Sequence, residues 1–127
     1  MYATKSLETY KTVHKATASG RELEASVLSQ AAAKLRRCQD NWDSEDREAM
    51  LDEALKYNQK IWSIFQSELA KEDNPLPKNL KVDLLALSAF MDRRGFEVMA
   101  RPAPEKLNIM ININMNIAAG LRGHPAL

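Results

Sequence analysis

Several kinds of residue are scarce in this sequence of 127 residues, and each shortage excludes a class of protein. Cys38 is the single cysteine, so an intrachain disulfide is impossible and a disulfide-stabilised secreted domain is excluded. No apolar run approaches the roughly 20 residues that span a membrane, and the N-terminus lacks the apolar core of a signal peptide. We therefore expect a cytoplasmic protein with no membrane insertion.

Charge of either sign is not in excess, because the formal net charge is only +1. Such a balance gives no general attraction to nucleic acid or to a membrane surface. The basic pairs Arg36-Arg37 and Arg93-Arg94 lie far apart, whereas RNA binding usually needs a broader basic stripe with exposed aromatic residues. Direct RNA binding is not expected.

Residue patterns that carry catalysis or bind metals are also missing. His14 and His124 have no metal-ligand spacing with Cys38. The acidic residues between positions 40 and 53 lack the glycine and the bidentate glutamate of a calcium loop. No phosphate-binding loop or nucleophile motif occurs. We expect no enzyme activity, no cofactor, no metal and no small-molecule ligand.

What the sequence does contain is helix-forming and apolar residues, the latter making up 45% of the chain. Glycine and proline are too few to interrupt long helices often. The pattern predicts an all-α, single-domain bundle of about five helices over residues 1–121, followed by a flexible tail over 122–127. The predicted helices span residues 3–15, 19–38, about 43–72, about 78–100, and 104 or 105 to 121.

The helix predicted over 78–100 is apolar on two opposed sides. A helix of this kind is either wedged between neighbours or covered by a partner. Gly95 lies in its last third, where it costs about 1 kcal/mol relative to alanine and suggests a bend or fraying. One apolar stripe contains Leu80, Leu84, Leu87, Met91 and Val98, and the other contains Val82, Leu85, Ala89 and Phe96.

The stretch Ile109 to Leu121, IMININMNIAAGL, alternates apolar residues with asparagines and so also fits a strand. A helix is favoured, because its inward residues fall within a sector of about 120° and a lone strand would have no partner strand. Ile109 and Ile113 then lie opposite Leu107 and Ile111, which suggests a second contact surface.

Two asparagines, Asn58 and Asn114, fall on the apolar sides of their predicted helices. A buried amide without hydrogen-bond partners costs about 1–3 kcal/mol, so each must have partners. These lie either within the core or on the backbone of a bound protein. Met91, Met99, Met110 and Met115 add flexible apolar contacts in the same half of the chain.

Five motifs follow one another along nearly the whole chain. They are Asn58-x-x-Ile61-Trp62-x-x-Phe65, Asn74-Pro-Leu-Pro77, Leu87-Ser-Ala-Phe90-x-Asp92-Arg93-Arg94, Pro104-Glu-Lys-Leu107 and Ile113-Asn-x-Asn116-Ile-Ala-Ala-Gly-Leu121. In this order they resemble the FlaF flagellar biosynthesis regulators of alphaproteobacteria. The one departure near the arginine pair is Gly95, where the resemblance leads us to expect a bulkier residue.

The resemblance implies a cytoplasmic protein that binds flagellin, acts as an export chaperone or adaptor, and couples flagellin synthesis to secretion and filament assembly. FlbT or the export apparatus are further possible partners. The alternative is a post-transcriptional regulator that acts on flagellin messenger RNA directly or through FlbT. For flagellin we expect a groove lined by Leu85, Phe96, Ile109, Ile113 and Met115.

Overall fold

The computed structural model describes residues 19–123, and within them the fold is all-α, as predicted. Four α-helices are present rather than five, because the helix predicted over 3–15 lies outside the described residues, as do His14 and His124. None of the described helices is both long and apolar enough to cross a membrane. The elements are α1 (Ser19–Asp40), α2 (Arg47–Leu69), α3 (Lys78–Ala100), a 3-10 turn (Pro104–Leu107) and α4 (Asn108–Leu121).

Helix α1 lies between α4 and α2 and runs antiparallel to both. Its first turn meets the end of α4, where the Arg122 Nε donates to the Glu22 carboxylate at 3.1 Å. Its last turn meets the start of α4, where the Gln39 amide donates to Asn108 Oδ1 at 2.7 Å. Helix α3 packs against α2 and touches the 3-10 turn. The bundle is therefore centred on α1 and α2, with α3 on one side.

Apolar side chains from every described element meet in one core. Helix α1 is able to pack closely because it contributes several alanines beside its leucines. Burial raises the pKa of the Cys38 thiol, with Arg37 opposing this shift and Glu53 adding to it. Cys38 therefore stays protonated and acts as a small apolar residue. The largest fully buried side chains include Leu28, Leu35, Trp62, Met91, Leu107 and Met110.

The start of the helix predicted over about 43–72 needs a correction, because the corresponding helix, α2, begins at Arg47 and not near position 43. Residues 41–46 form turns, in which the Ser44 hydroxyl accepts a hydrogen bond from the Asp46 N–H at 3.1 Å. The Arg47 guanidinium lies 4.7 Å from the Trp42 ring centre. This local bonding competes with helix formation and delays the start of α2.

Helix α2 ends at Leu69, three residues earlier than predicted. Asn74 fixes this end. The Asn74 amide donates to the Glu68 carbonyl at 3.0 Å, and its Oδ1 accepts from the Leu76 N–H at 3.0 Å. One side chain thus satisfies a free helix carbonyl and shapes the following turn. Pro77 then precedes α3, which begins at Lys78 as predicted.

Helix α4 confirms the prediction that Ile109 to Leu121 is helical and not a strand. The 3-10 turn precedes it, and Gln39 holds this turn by donating to the Pro104 carbonyl at 2.9 Å. Gly123 closes the described chain with φ of 77°, a conformation that favours glycine. Arg122, the first residue of the expected tail, is held against α1 through Glu22 and Ser29.

Candidate partner-binding site

A buried amide chain links α2 to α4. The Trp62 indole N–H donates to Asn114 Oδ1 at 2.8 Å, and the Asn114 Nδ2 donates to Asn58 Oδ1 at 2.8 Å. All three side chains are buried. The prediction that Asn58 and Asn114 have partners is thus confirmed, and these partners lie inside the core. The two amides position α2 and α4 and are not free to bond a partner's backbone.

Among the four described helices, α3 buries the smallest share of its residues. Only Ser88, Met91 and Val98 are buried along its 23 residues. The Ser88 hydroxyl has no hydrogen-bond partner among the described residues. Leu84 and Leu87 are half-buried on the same side. The later part of one predicted apolar stripe therefore faces the bundle, whereas Leu80 at its start is 42% exposed.

The second predicted stripe, Val82, Leu85, Ala89 and Phe96, forms what we call the open face of α3. Spacings of three, four and seven residues place these side chains on one side of the helix. Val82 is 56% exposed and Phe96 63%, while Leu85 and Ala89 are half-buried. No described helix packs across this face, since α3 contacts chiefly α2 and the 3-10 turn.

A pocket of about 140 Å³ opens between α2 and α3, next to the open face. We call it the Gly95 pocket, after the residue at which α3 lacks a side chain. A Cβ atom built on Gly95 meets nothing within 4 Å. Helix α3 continues through Gly95 without interruption. The walls are Leu55, Lys56, Asn58, Gln59, Met91, Asp92, Gly95, Phe96, Met99 and Met110.

The five predicted binding residues do not line one groove. Phe96 lines the Gly95 pocket, but the other four do not. Ile109 and Met115 are exposed, whereas Ile113 is half-buried and packs against the core. Because two residues apart in a helix are about 200° apart around its axis, Ile113 and Met115 face different directions. Leu85 and Phe96 together lie on the open face of α3.

The sequence reasoning missed the Gly95 pocket, although one signal was available. A glycine inside a helix, with no turn or close backbone contact to require it, leaves a gap in the side-chain layer. The methionines at 91, 99 and 110 were identified as adaptable apolar residues, but their meeting at this gap was not predicted.

The charged residues of the described chain do not build a second type of site. The Arg94 guanidinium donates to the Lys106 carbonyl at 3.0 Å and pairs with Glu97 at 3.3 Å. Arg94 therefore ties α3 to the 3-10 turn. Arg36 and Arg37 are exposed on α1. No group of three or more histidine, cysteine or acidic residues suited to a metal occurs within residues 19–123.

Comparison with known proteins gives one result. The family described as flagellar protein FlaF matches residues 6–121, which is most of the chain. No curated protein and no solved structure matches the sequence. The match includes the whole of α1 to α4, and hence both the open face of α3 and the Gly95 pocket.

Proposed function

Because the chain belongs to the FlaF family of flagellar proteins, we propose that it binds unassembled flagellin and acts as an export chaperone or adaptor. Binding would couple flagellin synthesis to secretion and filament assembly in the cytoplasm. FlbT or the export apparatus are candidate further partners.

The observation that carries this proposal is the open face of α3. Monomeric proteins rarely leave a row of large apolar side chains in water, and such rows mark sites of protein association. Here Val82 and Phe96 are more than half exposed, and Leu85 lies between them along the same side. An unassembled flagellin segment with an amphipathic helix offers the matching surface, in a helix-in-groove mode of binding.

The energy available is adequate for a reversible complex. If the partner helix and the open face bury about 600–800 Å² of apolar surface together, the transfer term at 25 cal/mol/Å² is about 15–20 kcal/mol. Ordering the partner and losing its free motion consume much of that gain. The expected affinity is therefore moderate, which suits a chaperone that must release flagellin for export.

The test is co-purification of flagellin with tagged protein, comparing the natural chain with Phe96→Asp and Val82→Asp. A charge on the open face should remove flagellin from the purified sample while far-UV circular dichroism stays unchanged. Ser63→Asp, at an exposed position on α2, is the matched control and should retain flagellin. Ile113→Asp is unsuitable, because Ile113 packs against the core and the variant should unfold.

Salt dependence separates this proposal from messenger RNA binding. Contact with flagellin through the open face should change little between about 50 and 300 mM salt, because the contact is mainly apolar. Binding to flagellin messenger RNA should weaken steeply over the same range, since counterions are released on phosphate contact. Retention of RNA rather than flagellin, with a steep salt slope, would overturn the proposal.

A further inference from the structure

We infer that the Gly95 pocket is the anchor point of the partner helix and receives one of its large apolar side chains. This inference rests on the proposed function, so the partner helix belongs to flagellin and lies along the open face of α3. Phe96 belongs to both surfaces, so one helix can cover the open face and reach the pocket.

The first argument is the glycine itself. Neither backbone conformation nor crowding requires glycine at position 95, because α3 is regular there and an added Cβ meets nothing within 4 Å. A side chain at this position would instead fill the pocket. Gly95 therefore keeps the pocket open.

The second argument is the size and lining of the pocket. Its 140 Å³ is close to the cavity of about 150 Å³ that holds a benzene molecule in an engineered protein. That space fits the end of one leucine, methionine or aromatic side chain. Met91, Met99 and Met110 line it, and their flexible thioethers adapt to an occupant of imperfect shape.

The third argument is the fixed wall of the pocket on the α2 side. An indole N–H only donates, so Asn114 accepts through Oδ1, and its Nδ2 donates to Asn58 Oδ1. Asn58 is buried and forms part of the pocket wall. Because this hydrogen bond holds the Asn58 side chain in place, the pocket does not depend on a rearrangement of that residue.

The fourth argument is the charge at the rim. Lys56 is neutralised by Asp52, with 2.9 Å between Nζ and Oδ2. Asp92 also lines the pocket, and its carboxylate has no ion-pair partner among the described residues. The rim therefore favours a lysine or arginine beside the anchoring side chain of the partner. Together these features specify a large apolar side chain with a neighbouring cation.

The test measures the dissociation constant of monomeric flagellin for the full chain and two variants by isothermal titration calorimetry. Gly95→Leu should weaken binding at least about tenfold, because its side chain occupies the pocket. Gly95→Ala is the matched control and should bind within about twofold, since a methyl group leaves most of the pocket open. Both variants should unfold at the same temperature as the natural chain or higher. Asp92→Asn should weaken binding about two- to fivefold.

A second measurement keeps the inference testable if Gly95→Leu fails to fold. In the natural chain with labelled methionine methyl groups, the NMR signals of Met91, Met99 and Met110 should shift on addition of flagellin. Met50, which is half-buried away from the pocket, is the reference. Unchanged pocket signals, or equal binding by folded Gly95→Leu, would overturn the anchor while flagellin binding stood. Failure of the natural chain to bind flagellin would overturn both.

Discussion

Helices α2 and α3 are each 23 residues long, but they use their apolar residues differently. Helix α2 buries seven side chains and α3 buries three, although α3 carries the more apolar sequence. The difference lies in the neighbours, since α2 packs against both α1 and α3, while α3 packs chiefly against α2. Apolar residues thus build a core in the helix that has neighbours on two sides and leave an uncovered surface in the other, although α3 has more of them.

The strongest test of this contrast is Asn114→Leu, which removes the link between α2 and α4. The substitution leaves the Trp62 N–H and the Asn58 Oδ1 without partners in the core. We expect the free energy of unfolding to fall by about 2–5 kcal/mol, measured by urea denaturation. Asn116→Leu on the exposed side of α4 is the control and should change stability by less than about 0.5 kcal/mol.

The two sides of α3 can be compared directly through Met91→Ala and Phe96→Ala. Met91 is buried, so its truncation leaves a cavity and should cost about 2–4 kcal/mol of stability. Phe96 is mostly exposed, and its truncation should cost less than about 1 kcal/mol while weakening flagellin binding. A large loss of stability from Phe96→Ala would show that the open face is covered within the chain itself.

Gly95→Ala should stabilise the protein, by about 0.5–1 kcal/mol in thermal or urea denaturation. Alanine lowers the entropy of the unfolded chain and its Cβ meets no neighbour in α3. The same substitution at Gly123 should have the opposite sign, because φ there is 77°. Destabilisation by Gly95→Ala would contradict this open space and would mean that other atoms lie close to the Cβ position of residue 95.

The smallest expected effect belongs to Arg122→Ala, at the junction of α1 and α4. Arg122 loses its contacts with Glu22 and Ser29, but both carboxylate and guanidinium are partly in water. The loss should be about 0.5–1 kcal/mol at low salt and should shrink as salt is added. Arg36→Ala, on the exposed side of α1, should have no measurable effect. An equal loss of stability from the two substitutions would show that the contacts of Arg122 with Glu22 and Ser29 do not stabilise the fold.

Periodicity was enough to predict the helical class, the whole of α3 and the burial of Asn58 and Asn114, because each depends on local spacing. It could not place neighbours. Ile113 was predicted to lie away from the core, yet it packs against it, since an isoleucine at the margin of a buried stripe can be covered by an adjacent helix. The start of α2 was missed because side-chain bonding in residues 41–46 outweighs the helix signal.

The pairing of α1 with α4 also has a kinetic consequence. This interface is the most extensive between described elements, and it joins segments as far apart as Glu22 and Arg122, 100 positions along the chain. Most helical bundles fold quickly because their contacts are local in sequence, but here a long loop must close first. During synthesis the side of α1 that packs against α4 stays uncovered until α4 has left the ribosome, so α1 and α2 must wait in water with part of the core exposed.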